Sequence, residues 1–396
     1  NQTGSWQWVA TPGSSGYAGI KAVTPDGQGG VFVAGWVRGT VDFGSHRTYN
    51  SGNHNPFVAH LNSTGHWQWV NRATNNDWGR VNDIAVMSDG GVAVAGTFAG
   101  WMNFNGGQNI DSHSGQSDGF IARINASGGA EWWSQIGRQG HYHDSANAII
   151  VDELDNIYVT GVCLENILYR RADLDQLATQ DGVLYCSYYN DWDGETFAMR
   201  LSSSGALQWV KKVRDGHVAR WGVDLDFLSN GNLLIMFTGY NSGWADRQGR
   251  GIEFTEMSRA GDFQSNVDWC CSSDYSRVLE PRAMYLTQEV YSPPSHANGY
   301  AESVELGDTP TDIIWVAGTI DGYLDAWQGE HVGEGGGDSD GGANDGMTAD
   351  SNMEYGGSDV FLYAFNWNDK SWMENRLIEY GGAGDDTAVD MAGHDD

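Results

Sequence analysis

Positive charge is scarce in this chain. Only 21 Lys and Arg oppose 52 Asp and Glu, a formal net charge of −31 over 396 residues. Nucleic-acid phosphates and anionic membranes repel such a surface, so neither is an expected partner. Long apolar runs are also missing. No stretch reaches the roughly 18 apolar residues that a spanning helix needs, so no transmembrane segment is expected. Proline is limited to 7 residues against 55 glycines, which points to tight turns rather than disorder. There are 4 cysteines and no CxxC pair, which excludes the usual structural zinc sites. No amphipathic helical period of useful length appears, so the class is all-β.

The chain is rich in repetition. A strand ending in a small residue and glycine recurs as VFVAG to Gly35, VAVAG to Gly96, IYVTG to Gly161, IMFTG to Gly239 and IWVAG to Gly318. A short apolar segment and a turn rich in Gly, Asp or Asn precede each copy, as hairpins require. A third strand follows, as in FVAHLNSTG, FIARINASG and FAMRLSSSG, and then a fourth that carries Trp. Four short antiparallel strands per repeat form the blade of a β-propeller. The expectation is a single β-propeller domain over 1–396. It has five complete four-stranded blades, at 17–70, 81–133, 145–210, 218–269 and 277–378. A split, incomplete sixth blade joins 1–10 to 380–396.

Three features carry a family resemblance. They are the opening Gly381, Gly382, Gly384, Asp386, Ala388, the IYVTG strand, and the segment Asp118, Phe120, Ala122 before a Trp strand. The units resemble the bacterial secreted β-propeller repeats whose family name calls them seven-bladed. The resemblance implies a fold and no particular activity. This chain departs from it in blade number and in the long insertions of its third and fifth units.

The ends extend the repeat. Asn1 to Gly4 matches the turn Asn62 to Gly65, and Trp6 with Trp8 matches Trp67 with Trp69. Asp386 to Ala388 matches Asp144 to Ala146. Trp6, Trp8 and Val9 therefore read as a fourth strand, and Ala388 and Met391 as part of a first strand. An incomplete blade leaves strand edges and apolar faces open, which is the physics of strand recruitment. Other copies of the chain are the expected partner, in assemblies that extend to filaments.

Further candidates lie on loops. Those entering each first strand gather Trp78, Arg80, His141, His143, His217, Arg220, Trp221, Arg277 and Arg282 near the axis. An aromatic, basic funnel inside an acidic shell suits an acidic glycan, and extracellular polysaccharide is the alternative partner. A polysaccharide lyase would use the same funnel. No GxSxG, HExxH or phosphate loop is present, so the reading leans away from an enzyme. The recurring Trp pairs are expected to pack between blades, whereas Trp36 and other Trp residues off the repeat positions suit sugar stacking. Asp338, Asp340, Asn344, Asp345 and Asp350 are hard oxygen donors that would suit calcium, out of EF-hand register. Cys163 and Cys186 flank one insertion and are expected to be disulfide-bonded. Cys270 and Cys271 are neighbours, for which a mutual bond would be strained. Asn1, Asn62 and Asn125 begin sequons at one repeat position, giving either glycosylation or plain turn chemistry. A disulfide implies an oxidising compartment, so the protein is expected to be extracellular or at the cell surface.

Overall fold

The computed structural model describes residues 7–48, 52–112, 116–137, 143–164, 167–171, 183–184, 186, 194–213, 220–240, 250–269, 278–289, 311–321, 358–368 and 370–380. The described elements are strands and turns. Five antiparallel four-stranded units follow one another. The first comprises Tyr17–Pro25, Val31–Arg38, Asn55–Leu61 and Trp67–Asn75. The second comprises Gly79–Val86, Val92–Ala99, Ser117–Ile124 and Ala130–Gly137. The third comprises Ser145–Val151, Ile157–Cys163, Glu195–Leu201 and Leu207–Lys212. The fourth comprises Arg220–Phe227, Leu233–Tyr240, Arg250–Met257 and Phe263–Trp269. The fifth comprises Val278–Glu289, Thr311–Asp321, Ser358–Asn366 and Ser371–Tyr380.

The first strand of each unit packs against the first strand of the next, so these strands are the inner ones. The core therefore lies between units. Phe32, Ala34 and Val58 of the first unit pack with Val81, Ile84, Val94 and Phe120 of the second. Ala95 and Ile121 of the second pack with Ala146 and Ile149 of the third. A unit buries its faces only by having neighbours.

Every inner strand carries a β-bulge, at Ile20/Ala22, Val81/Asp83, Ala146/Ala148, Gly222/Asp224 and Pro281/Ala283. Four of the repeat glycines face these bulges, namely Gly35, Gly96, Gly161 and Gly318. At Gly35, Gly96 and Gly161 the bulge turns a carbonyl toward the glycine. A Cβ on Gly35 would sit 2.0 Å from the oxygen of Gly19, and one on Gly161 would sit 2.0 Å from that of Ser145. The fourth unit corrects the sequence alignment. Phe237 occupies the facing position there, and Gly239 lies two residues beyond it, opposite Arg220. Gly222 stands across from Phe237, so the small residue has moved to the other strand.

Two clasps tie units together. The hairpin Trp101–Phe104 and Ile110–Asp111 of the second unit adds to the outer strand of the first. The hairpin Ile167–Arg171 and Val183–Leu184 of the third adds to the outer strand of the second. Cys163 and Cys186 are disulfide-bonded with Cα atoms 6.1 Å apart, closing the insertion that holds this clasp. The outer-strand Trp residues are the second tie. Trp69, Trp132 and Trp209 lie on the turn glycines Gly128, Gly205 and Gly261 of the following unit. Their indole N–H groups donate to Ala126, Ser203 and Arg259 carbonyls in the same turns. Side chains have no room at these left-handed glycines once the indole is seated.

Candidate functional site

The first unit has a flank unlike the others. Ahead of it, residues 7–14 occupy the place of a preceding unit's outer strand. Trp8 lies on Gly65 as Trp69 lies on Gly128. Gly13 and Ser14 pair with Asp42 and Val41 of the first unit's own hairpin, Val41–Phe43 and His46–Thr48. That pairing repeats the register of Thr74 and Asn75 with Asn103 and Met102. The inner strand beside it is bare. Ile20 is 48% exposed and Val23 45%, and Ala18 and Pro25 on the same face are exposed as well. At the equivalent positions Val81 is 0% and Ile84 5% exposed, and Ala146 and Ile149 are 0% and 2%. Those side chains meet a preceding unit, whereas Ile20 and Val23 meet none among the described residues. Trp6, Ala388 and Met391 lie outside the described residues.

Near the axis, carboxylates join one inner strand to the next. Asp83 accepts the N–H of Ile84 and, across the interface, the N–H of Ile149 at 2.7 Å. Asp224 accepts the N–H of Leu225 and that of Met284, at 2.8 and 2.6 Å. Each bond satisfies a donor on the free edge of an inner strand, which no ladder reaches. Burial and the nearby Asp83 charge push the Asp224 carboxyl well up. Burial likewise pushes Asp226 up, to about 6.

The expected funnel residues lie partly outside the described residues, and those described make separate local contacts. Trp78 begins the second unit and bridges to His54 of the first. Arg80 donates to Asn82 at 2.8 Å, a local contact. The Nδ1 of His143 lies 2.9 Å from the hydroxyl of Ser117. Arg220 and Trp221 open the fourth inner strand, and Arg282 lies in the fifth. His141, His217 and Arg277 lie outside the described residues. So do Cys270, Cys271, Asn1 and the proposed calcium ligands Asp338, Asp340, Asn344, Asp345 and Asp350. No group of three metal-ligating side chains occurs among the described residues.

A cleft of about 390 Å3 opens at the start of the first inner strand, lined by Tyr17, Trp36, Arg38 and His54. The rings of Trp36 and His54 stack with centroids 4.3 Å apart. Burial, and then the Arg38 charge, lower the His54 pKa. Trp36 stands out in the sequence as lying off the repeat. Arg38 shares its strand, whereas Tyr17 comes from the inner strand and His54 from just before the third, with no shared motif.

The sequon asparagines close turns. Asn62 Oδ1 accepts the Thr64 and His66 N–H groups, and Asn125 Oδ1 those of Ser127 and Gly129. Sequence reasoning missed Asp118 as a site of tension. It is 1% exposed, its Oδ2 accepts from Gln135, and its Oδ1 has no partner among the described residues. Burial and the neighbouring Asp144 push its carboxyl up to about 9.

Residues 131–162 match the family model of the β-propeller repeat. The match runs from the outer strand of the second unit through the first two strands of the third. A search of curated proteins found no match. No helix among the described residues is long and apolar enough to cross a membrane.

Proposed function

We propose that the protein is a non-enzymatic extracellular scaffold that binds other copies of itself through an incomplete terminal blade. In this reading the five units are whole blades of a single propeller domain, and the two chain ends contribute strands to a split sixth. One observation carries it. Residues 7–14 hold the register of an outer strand, yet no second or third strand lies beside them among the described residues. The exposed Val9, at 73%, marks the open side. Unpaired strand edges and wet apolar surface, at about 25 cal/mol per Å2, both favour a β-hairpin from a neighbouring copy. A head-to-tail contact of this kind propagates unless its rotation closes.

The net charge of −31 opposes association, so salt should promote it. Light scattering tests this directly. The full chain should form higher species whose fraction rises with ionic strength. Deletion of residues 1–10 should abolish them while leaving the five units folded. Equal assembly by the truncated chain would refute the terminal-blade mechanism. A second reading, an acidic-glycan binder, is favoured by the Tyr17, Trp36, Arg38 and His54 cleft. There Arg38 would meet a carboxylate while the exposed Tyr17 ring offers a stacking face.

A further inference from the structure

Among the described residues, arginines are mostly engaged. Arg47 reaches Asp42, Arg80 reaches Asn82, Arg123 reaches Asp89 and Arg259 reaches Glu153. Arg38 differs. It is exposed at the end of its strand, and its guanidinium has no hydrogen bond or ion pair among the described residues. In a chain with 52 acidic residues, such a cation is open to a carboxylate from outside.

The cleft beside Arg38 holds a second nitrogen base in place. Trp36 is covered on one face by His54, and its indole nitrogen packs so closely on Gly19 that a Cβ there would lie 2.4 Å away. The backbone of His54 is anchored too. Its carbonyl accepts the Gly79 N–H at 2.8 Å and the Asn75 side-chain amide at 2.9 Å. The imidazole nitrogens have no hydrogen-bond partner among the described residues. Burial, and then the Arg38 charge, disfavour the imidazolium, so His54 is uncharged at neutral pH. An anion seated against Arg38 cancels that repulsion and gives the imidazolium a partner. The charged ring would also rest on the face of Trp36, a cation–π contact. The other ionisable side chain lining the cleft is the Tyr17 phenol. On the side of the second unit, Asp77 and Arg80 flank Trp78, and Arg80 is held by Asn82. On the outer strand, Arg72 is held by Asn55.

We infer that this cleft is an acid-enhanced carboxylate site, in which Arg38 and a protonated His54 together clamp the carboxylate of a hexuronate residue whose ring lies on Tyr17. This deepens the acidic-glycan reading and rests on it. A sugar is favoured over an acidic peptide because Tyr17, 68% exposed, offers an apolar ring face beside the two cations. Gly16, Gly39 and Gly52 line the same cleft and carry no side chain to keep a ring away. Its volume of about 390 Å3 is at the small end of ligand sites and suits a chain end better than a long polymer. Affinity begins to rise as pH falls through the His54 pKa of the occupied cleft, and it levels off below that of the empty one.

Calorimetric titration of the full chain with oligogalacturonate, at fixed ionic strength, tests this. Binding should be about tenfold tighter at pH 5 than at pH 8, the weight of one charge-assisted hydrogen bond. His54→Gln should keep the affinity at pH 8 and lose the gain at pH 5. Arg38→Gln should lose binding at both. Acid also reduces the net charge of −31, but that general effect persists in His54→Gln, so the difference between parent and variant isolates the site. In the unaltered chain, the His54 imidazole signal in NMR should titrate at higher pH with the oligosaccharide than without it. An unmoved His54 titration, or the same pH profile in His54→Gln as in the parent, overturns the inference and leaves the glycan reading standing. Equal affinity for polyglutamate, or for a neutral galactose oligomer, overturns the choice of a hexuronate. Absence of oligogalacturonate binding at every pH removes the glycan reading and this inference together.

Discussion

Two flanks of the same repeat behave differently. Between the second and third units every layer of the interface is present: Ala95 and Ile121 against Ala146 and Ile149, the Asp83 latch, Trp132 on Gly205, and the clasp hairpin. On the flank of the first unit the outer layer is present in the same register, with Trp8 on Gly65 and Gly13 paired to Asp42. The inner layer there is an exposed stripe at Ile20 and Val23. The difference shows that outer and inner layers are separable. A segment of eight residues, of which Gly13 and Ser14 are strand, takes this outer position with no further unit behind it among the described residues, held by one indole and two backbone pairs.

The largest test of that contrast places a charge at one station on both flanks. Val81 and Ile20 both sit opposite a bulge glycine. Val81→Asp buries an unpaired carboxylate between two four-stranded units and should cost at least about 3 kcal/mol. Ile20→Asp faces at most one strand and should cost roughly 1 kcal/mol in global stability. Chemical denaturation of the two variants measures both. Equal losses would mean that the first flank is as fully covered as the internal interface.

A smaller difference between the two flanks is expected at the outer layer, where they are alike. Trp132 is 4% exposed, and Trp132→Ala should cost about 3–5 kcal/mol if the cavity stays open, and less where the loops collapse. Trp8→Ala removes the same contact from a half-buried indole, and its thermal shift should be smaller and of the same sign. A silent Trp8→Ala would mean that the outer strand is held by its pairing with Asp42 and Val41 alone.

Much of the architecture was legible because bulge and turn leave chemical marks. The glycines at 35, 96 and 161 recur because a carbonyl takes the place of a side chain, and the Trp residues recur because each covers a turn glycine. Where the fold solved the same problem on the other partner, the marks moved. Gly222 and Phe237 exchange sizes across two strands, so the glycine of IMFTG stands two residues off the station of the others. Ser265 stands where Trp209 would be, and Trp367 in the next turn packs back onto Phe254 instead. The candidate site was less legible. The inner-strand Asp residues look like any others in a chain with 52 acidic groups until the strand edge they serve is known. The Trp36 cleft needs Tyr17, Arg38 and His54 from three places in the sequence.

The smallest expected effect lies inside the complete interface and depends on pH. Asp118, Asn55 and Glu195 occupy one station, each two residues before the Phe that faces a bulge glycine. Asn55 receives the Arg72 guanidinium at 3.2 Å, and Glu195 is paired with Lys212 at 2.9 Å. Among the described residues Asp118 accepts only from the Gln135 amide, and burial with the Asp144 and Asp111 charges pushes its carboxyl from 3.8 to about 9. The folded protein therefore keeps a proton on Asp118 that the unfolded chain releases above about pH 4. The stability tied to that proton is fully present below pH 4 and drains away as pH rises toward 9. Asp118→Asn keeps the shape, carries no charge and should behave like the protonated form throughout. Its melting temperature should match the parent at pH 4 and exceed it by a widening margin up to pH 8, a few degrees at the top. Glu195→Gln should do the opposite at neutral pH, since it removes the partner of a half-buried Lys212. A thermal shift for Asp118→Asn that stays constant from pH 4 to 8 would show that Asp118 is ionised in the fold and compensated by a group beyond Gln135.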